Sequence, residues 1–198
     1  MLASINPLGE RARNQRYWVT VVSYIVGSTV AGALLGGALG FVGAPVARPV
    51  VAFAGVAVLA VVGILFDVPG FGKRVPGPRR QVDENWLAAY RGWVYGAGFG
   101  AQLGLAFVTI VTASATWVAF ACALFSGSAL AGVAIGAIFG LARAVPILAA
   151  SRIGNDPSNL RALVRRLEGL RPRVAITTTA FQGAAAAGLV ALALARAT

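Results

Sequence analysis

The sequence predicts an all-α polytopic membrane protein with about five transmembrane helices. Three observations carry that prediction. Of 198 residues, 58% are hydrophobic and only 12% charged, whereas an average soluble domain is about 25% charged. A globule this small has too few polar groups to cover a core of that composition. The mean hydropathy of +0.78 points the same way. Nearly all the charges gather in three segments, 1–16, 67–91 and 151–173, separated by long uncharged runs.

The elements follow in order. Residues 1–16, MLASINPLGERARNQR, carry Arg11, Arg13 and Arg16 too late, and before too long an apolar run, to read as a signal peptide. Residues 17–43 are uncharged and exceed the roughly 20 residues that cross a bilayer; Ala44-Pro45 ends this first span. A second span covers about 48–66. The loop 67–91 opens rich in proline and glycine, which prevents regular structure. Asp83 then caps a short helix on which Trp86, Tyr90 and Trp93 share one face, an aromatic belt at the membrane interface.

Between Gly92 and Ala150 the only charge is Arg143. Two long spans fit: a third from Gly92 to about Phe125, broken near Thr109, Thr112, Ser114 and Thr116, and a fourth from Ser128 to Ala150. Asp156-Pro157 starts an interfacial amphipathic helix over 156–169. Leu160, Leu163, Val164 and Leu167 form its apolar face, and Arg161, Arg165 and Arg166 meet anionic lipid headgroups on the other. Gly169 and Pro172 end it, and the fifth span runs over about 174–195.

The net charge of +11 reads as topology, not as a nucleic-acid surface, because the cations flank spans and no soluble domain is large enough to hold a groove. With the three basic segments in the cytoplasm, five spans place the N-terminus inside and the C-terminus outside a cytoplasmic (inner) membrane.

Glycine recurs every fourth residue at Gly32, Gly36 and Gly40, at Gly92, Gly96, Gly100 and Gly104, and at Gly132, Gly136 and Gly140. Such ladders let helix backbones approach closely in lipid; they read as packing faces, or alternatively as the lining of a narrow path. GSTVAGALLGGALG at 27–40 matches GSALAGVAIGAIFG at 127–140. The two copies would run in opposite directions, so the chain reads as a degenerate inverted repeat, a common transporter plan. Its units are 1–66, a stub plus two helices and therefore truncated, and 92–198, three helices with the interfacial helix, joined by the loop 67–91.

The chemistry available is narrow. There is no histidine and a single cysteine, Cys122, which excludes Ser-His-Asp and Cys-His catalysis, histidine-held metals and an intrachain disulfide. None of the six acids lies within an apolar run, which disfavours ion coupling through a membrane carboxylate. No enzyme activity, cofactor or metal is expected. A candidate solute site draws on Arg143, Thr109, Thr112, Thr116 and Gln102. Each has a structural alternative: snorkelling for Arg143, interhelical hydrogen bonds for Gln102 and Gln182, and repair of a helix break for the hydroxyls.

Ser4-Ile5-Asn6-Pro7-Leu8 before a glycine-rich helix resembles the transmembrane thiol–disulfide interchange family, of CcdA and DsbD type, within the LysE-like superfamily. The resemblance implies two inverted three-helix units whose first helices break at a Cys-Pro or Pro-Cys step and whose paired cysteines carry electrons. Leu8 stands where the first of those cysteines belongs, and no Pro-Cys occurs near Val108. The implied protein is a cysteine-less relative without electron transfer.

Two functions are therefore expected. The first is a transporter-like scaffold moving a small solute without redox chemistry. The alternative is a non-catalytic accessory or assembly subunit packing against a larger membrane complex. The expected partners are a bilayer containing anionic lipids, and further copies of the chain or a larger membrane protein.

Overall fold

The computed structural model describes residues 5–67, 85–106, 114–153 and 157–197. Among these, every regular element is helical: α1 (Pro7–Ala12), α2 (Tyr17–Gly43), α3 (Pro49–Asp67), α4 (Trp86–Ala89), α5 (Gly92–Leu105), α6 (Ala115–Phe125), α7 (Ala129–Ala144) and α8 (Pro157–Ala197). Tight 3₁₀ turns cover Ala44–Val46 and Val145–Ile153. Four helical stretches of the described chain are long and apolar enough to cross a membrane: Tyr17–Val46, Val50–Asp67, Ala129–Ser151 and Glu168–Ala195. The chain is thus a helical protein of multi-pass character.

Of the five expected spans, four are each long and apolar enough on their own. The third expected span arrives as α5 and α6, of 14 and 11 residues. At 1.5 Å per residue, roughly 21 and 17 Å, neither crosses alone. Helix α5 stops where Ala106 turns to φ 55°, a left-handed value that an L-residue cannot continue into a helix. Residues 107–113 lie outside the described chain.

A correction concerns 156–169. Gly169 and Pro172 do not end a helix; α8 runs unbroken for 41 residues with Pro172 inside it. A proline removes one i→i−4 hydrogen bond, and the bonds on either side carry the helix past it. The aromatic triad is also not one helix face. Helix α4 stops at Ala89, and Tyr90 is extended (φ −123°, ψ 161°). Trp86 therefore turns inward, its ring 6.0 Å from that of Phe99, while Tyr90 and Trp93 are exposed. The proposed cap Asp83 lies outside the described residues.

Packing is organised by α2. On one side it meets α7 antiparallel. A Cβ added at Gly32 would fall on the carbonyl of Gly136, one at Gly36 on that of Gly132, and one at Gly40 on that of Ser128. The reciprocal holds: Gly132 faces Gly36, Gly136 faces Gly32, and Gly140 faces Ser28. On its other side α2 meets α5 in parallel, with Gly96 against Thr20, Gly100 against Tyr24 and Gly104 against Ser28. Ser28 sits between both neighbours, and its Oγ donates to the Gly140 carbonyl at 2.8 Å. Hydrogen-bearing glycine Cα atoms this close to carbonyls also make weak C–H···O contacts.

A second group, α3, α6 and α8, packs beside the first, with α6 touching both α2 and α7. Gly55 of α3 faces Phe125 and Gly63 faces Ser114, so α3 and α6 are antiparallel. Helices α5 and α6 together run the length of α2. Gly92 lies by Thr20 at one end, and the Leu124 carbonyl lies on Gly43 at the other.

Candidate functional site

The buried polar chemistry is concentrated in two carboxylate-centred knots and one arginine. The first knot is built by the N-terminal segment. Asn6 caps α1 by accepting from the Gly9 N–H at 2.8 Å, and Pro7 occupies the first helical position, where its missing N–H costs nothing. That short turn swings Glu10 into the bundle, where it is 0% exposed. Thr20 Oγ1 donates to Glu10 Oε2 at 2.6 Å, the Tyr95 hydroxyl donates to Oε1 at 2.6 Å, and Arg13 Nη2 donates to Oε1 at 2.6 Å. Burial works against the Arg13 charge, but its hydrogen bond to Glu10 and the carboxylate's charge outweigh burial and raise its pKa above the ordinary value. Beside the knot, Gln15 Oε1 accepts from the Gly92 N–H at 3.0 Å, satisfying an otherwise orphaned donor at the start of α5. The Tyr17 hydroxyl donates to the Ile147 carbonyl at 3.2 Å. With its acceptor sites taken, Glu10 anchors α1 to the ends of α2 and α5.

The second knot joins α3, α6 and α8. Asp67 ends α3, and its Oδ1 accepts from the Ser114 N–H at 3.1 Å. The Ser114 hydroxyl donates to Oδ2 at 2.6 Å, and Gln182 Nε2 donates to Ser114 Oγ at 3.1 Å. A carboxylate at the N-terminus of α6 is favoured by the helix dipole. Both knots were missed by looking for acids inside apolar runs, because Glu10 and Asp67 stand just outside such runs and are folded back into contact. A lone acid among arginines, three residues from Arg13, is the signal that marks Glu10.

Of the sequence-derived solute residues, Arg143, Thr116 and Gln102 lie among the described residues. Arg143 lies in the last turn of α7, half-buried, with its guanidinium carbon 5.5 Å from the Phe139 ring centroid. Its Nη1 is buried and has no hydrogen-bond partner among the described residues. Phe139 in turn meets Phe120 of α6 at 5.7 Å. Thr116 is buried on α6 and Gln102 half-buried on α5; among the described residues no hydrogen bond joins either to Arg143. Thr109 and Thr112 lie outside the described residues. Arg161 lies on α8, where Arg165 and Arg166 are exposed.

Comparison with known proteins bears on what this framework belongs to. The chain is 30% identical over 154 residues to the methylamine utilization protein MauF of Paracoccus versutus, an alignment spanning 74% of this chain and 55% of that protein. It is 30% identical over 141 residues to the MauF of Methylophilus methylotrophus, covering 67% and 47%. The MauF of Methylorubrum extorquens is 30% identical over 154 residues, covering 75% and 52%. The chain thus spans about half the length of the curated relatives it matches. No family model and no solved structure matches significantly.

These relatives overturn the resemblance to the thiol–disulfide interchange family: the proteins similar over most of this chain are methylamine utilization proteins. The physical reason the resemblance misled is visible in α1. Asn6-Pro7 is the capped start of a short helix, and glycine ladders serve close helix packing in any membrane bundle.

Proposed function

We propose that this chain is a non-catalytic accessory membrane protein of a methylamine utilization system, packing against a larger membrane complex. The observation that carries the reading is similarity to MauF proteins across about three quarters of the chain. Supporting it is the large apolar surface of the spans. One open groove between α3 and α8, about 440 Å³, is lined by Val50, Ala57, Val61, Val190 and Leu194 among others, and such surfaces mark helix–helix association in membranes. The transporter reading draws no support from the relatives' names.

Within this proposal the protein sits in the cytoplasmic membrane with its N-terminus inside, as the arginine distribution implies. The glycine ladders are packing faces, and Arg161, Arg165 and Arg166 meet anionic headgroups. The bundle is a degenerate inverted repeat. The reciprocal meeting of Gly32 with Gly136 and Gly36 with Gly132 supports this, because it maps onto itself when the copies at 27–40 and 127–140 are exchanged. Deletion in a host that grows on methylamine is expected to abolish that growth while leaving growth on other carbon sources intact, and mild detergent extraction is expected to co-purify a larger membrane protein. Normal growth on methylamine after deletion would count decisively against the reading.

A further inference from the structure

Gln182 stands at the centre of the last long span, 14 residues after Glu168 and 13 before Ala195. Its Nε2 donates to Ser114 Oγ at 3.1 Å. Ser114 donates to Asp67, from its N–H to Oδ1 at 3.1 Å and from its hydroxyl to Oδ2 at 2.6 Å. These bonds carry the Asp67 carboxylate to the middle of a membrane-spanning helix, a depth that the sequence position of Asp67 does not announce. We propose that Asp67, Ser114 and Gln182 form a binding site for a small monovalent cation.

The first argument is charge. A carboxylate inside a membrane is costly without a compensating positive charge, and the donors that Asp67 meets are neutral. Residues 49–66 of α3, all of α6 and residues 174–195 of α8 contain no Lys or Arg. Arg173, the nearest cation on α8, is nine residues from Gln182, roughly 13 Å along the helix. Arg143, the cation inside another span, lies over the Phe139 ring. Lys73 and Arg74 follow Asp67 in the sequence and lie outside the described residues. The second argument is the oxygen set. Ser114 Oγ lies 2.6 Å from Asp67 Oδ2 and 3.5 Å from Gln182 Oε1, so carboxylate, hydroxyl and amide oxygens converge. Helix α3 ends at Asp67, where its last carbonyls lack intrahelical partners and the dipole is negative. Helix C-termini and interrupted spans at this depth are where membrane proteins coordinate small cations. The third argument is size. Ser114 and Gln182 are 2% and 5% exposed, and Asp67 keeps part of its surface open. A recess walled by buried polar groups fits an ion rather than a partner's side chain. The site stands apart from any role in methylamine utilization.

Thermal unfolding of the full chain in detergent tests it. The protein is exchanged into N-methylglucamine chloride and titrated with sodium, potassium or ammonium chloride at constant ionic strength. At least one of the three ions is expected to raise the unfolding midpoint saturably. Asp67→Asn should abolish that rise. Lys73→Gln with Arg74→Gln should leave it in place, because the ion and not these side chains balances Asp67. No rise with any of the three ions overturns the proposal. So does an equal rise in the wild type and in Asp67→Asn, or a rise that appears only once Lys73 and Arg74 are replaced. If Asp67→Asn does not fold, Gln182→Leu decides the matter, since it leaves the bonds between Asp67 and Ser114 intact. It should raise the half-saturating ion concentration by about tenfold, the loss of one contact to a charge; an unchanged concentration would overturn the site.

Discussion

A carboxylate with no exposed surface survives only where donors replace the water it has lost, and Glu10 has Thr20, Tyr95 and Arg13. Removing the acceptor strands all of them. Arg13 retains 27% of its side-chain surface in water and can swing outward, so the cost lies below that of a fully buried pair. Glu10→Ala is expected to destabilise the protein by about 2–4 kcal/mol, and Tyr95→Phe by about 1–2 kcal/mol, read as thermal unfolding in detergent. The two should be less than additive by about 1 kcal/mol, since they share one network; simple additivity would show that the knot does not act as a unit. Little of this was legible in the sequence. Tyr95 is 85 residues from Glu10, and no local spacing brings them together. The candidate site of Arg143, Gln102 and the Thr109–Thr116 hydroxyls rested on polar residues being rare in apolar runs, which identifies unusual residues but not their neighbours.

Elements were more legible than sites, and for a physical reason. Spans announce themselves by composition, so α2 and α3 begin and end within a few residues of where the uncharged runs do. Continuity is harder to read. Gly169 and Pro172 read as a stop, yet a Cβ added at Gly169 would meet nothing within 4 Å, so no packing forces a break there. Glycines differ in the same way, and a paired experiment separates them. At Gly36 and Gly132 an added methyl would fall on the partner helix's carbonyl; Gly36→Ala and Gly132→Ala should each cost about 1–3 kcal/mol by pushing α2 and α7 apart. Gly188 has open space around it, and Gly188→Ala should be neutral or stabilising by up to about 1 kcal/mol through helix propensity. Unfolding midpoints that fall equally in all three variants would show that the ladder does not set the α2–α7 distance.

At the scale of the whole molecule, the direction of each helix decides on which side of the membrane the chain ends. Helix α7 is antiparallel to α2, and α3 is antiparallel to α6. Neither α5 nor α6 crosses alone, but together they pass from Thr20 beside Gly92 to Gly43 beside Leu124, the full length of α2. They therefore count as one crossing in the direction of α2. Helix α8 meets α3 at two levels: Gly183 lies near Ile64, while Ala193 and Leu194 share a groove with Val50. It is thus antiparallel to α3 and ends at the end of the bundle opposite the N-terminus. With the four long helices, the composite of α5 and α6 is expected to give five crossings and to leave the two termini on opposite sides. Reporter fusions check this directly. Alkaline phosphatase should be active when fused after Thr198, and a cytoplasmic fluorescent protein should be bright when fused before Met1, with inactive and dark outcomes when the reporters are exchanged. Both termini on one side would mean that α5 and α6 turn back within the bilayer, and would require a different course for α7 and α8. The sign of the orientation comes from the arginines alone. Moving basic residues from the 67–91 loop to the Ala44–Val46 turn is therefore expected to produce a mixed population in the same reporter assay.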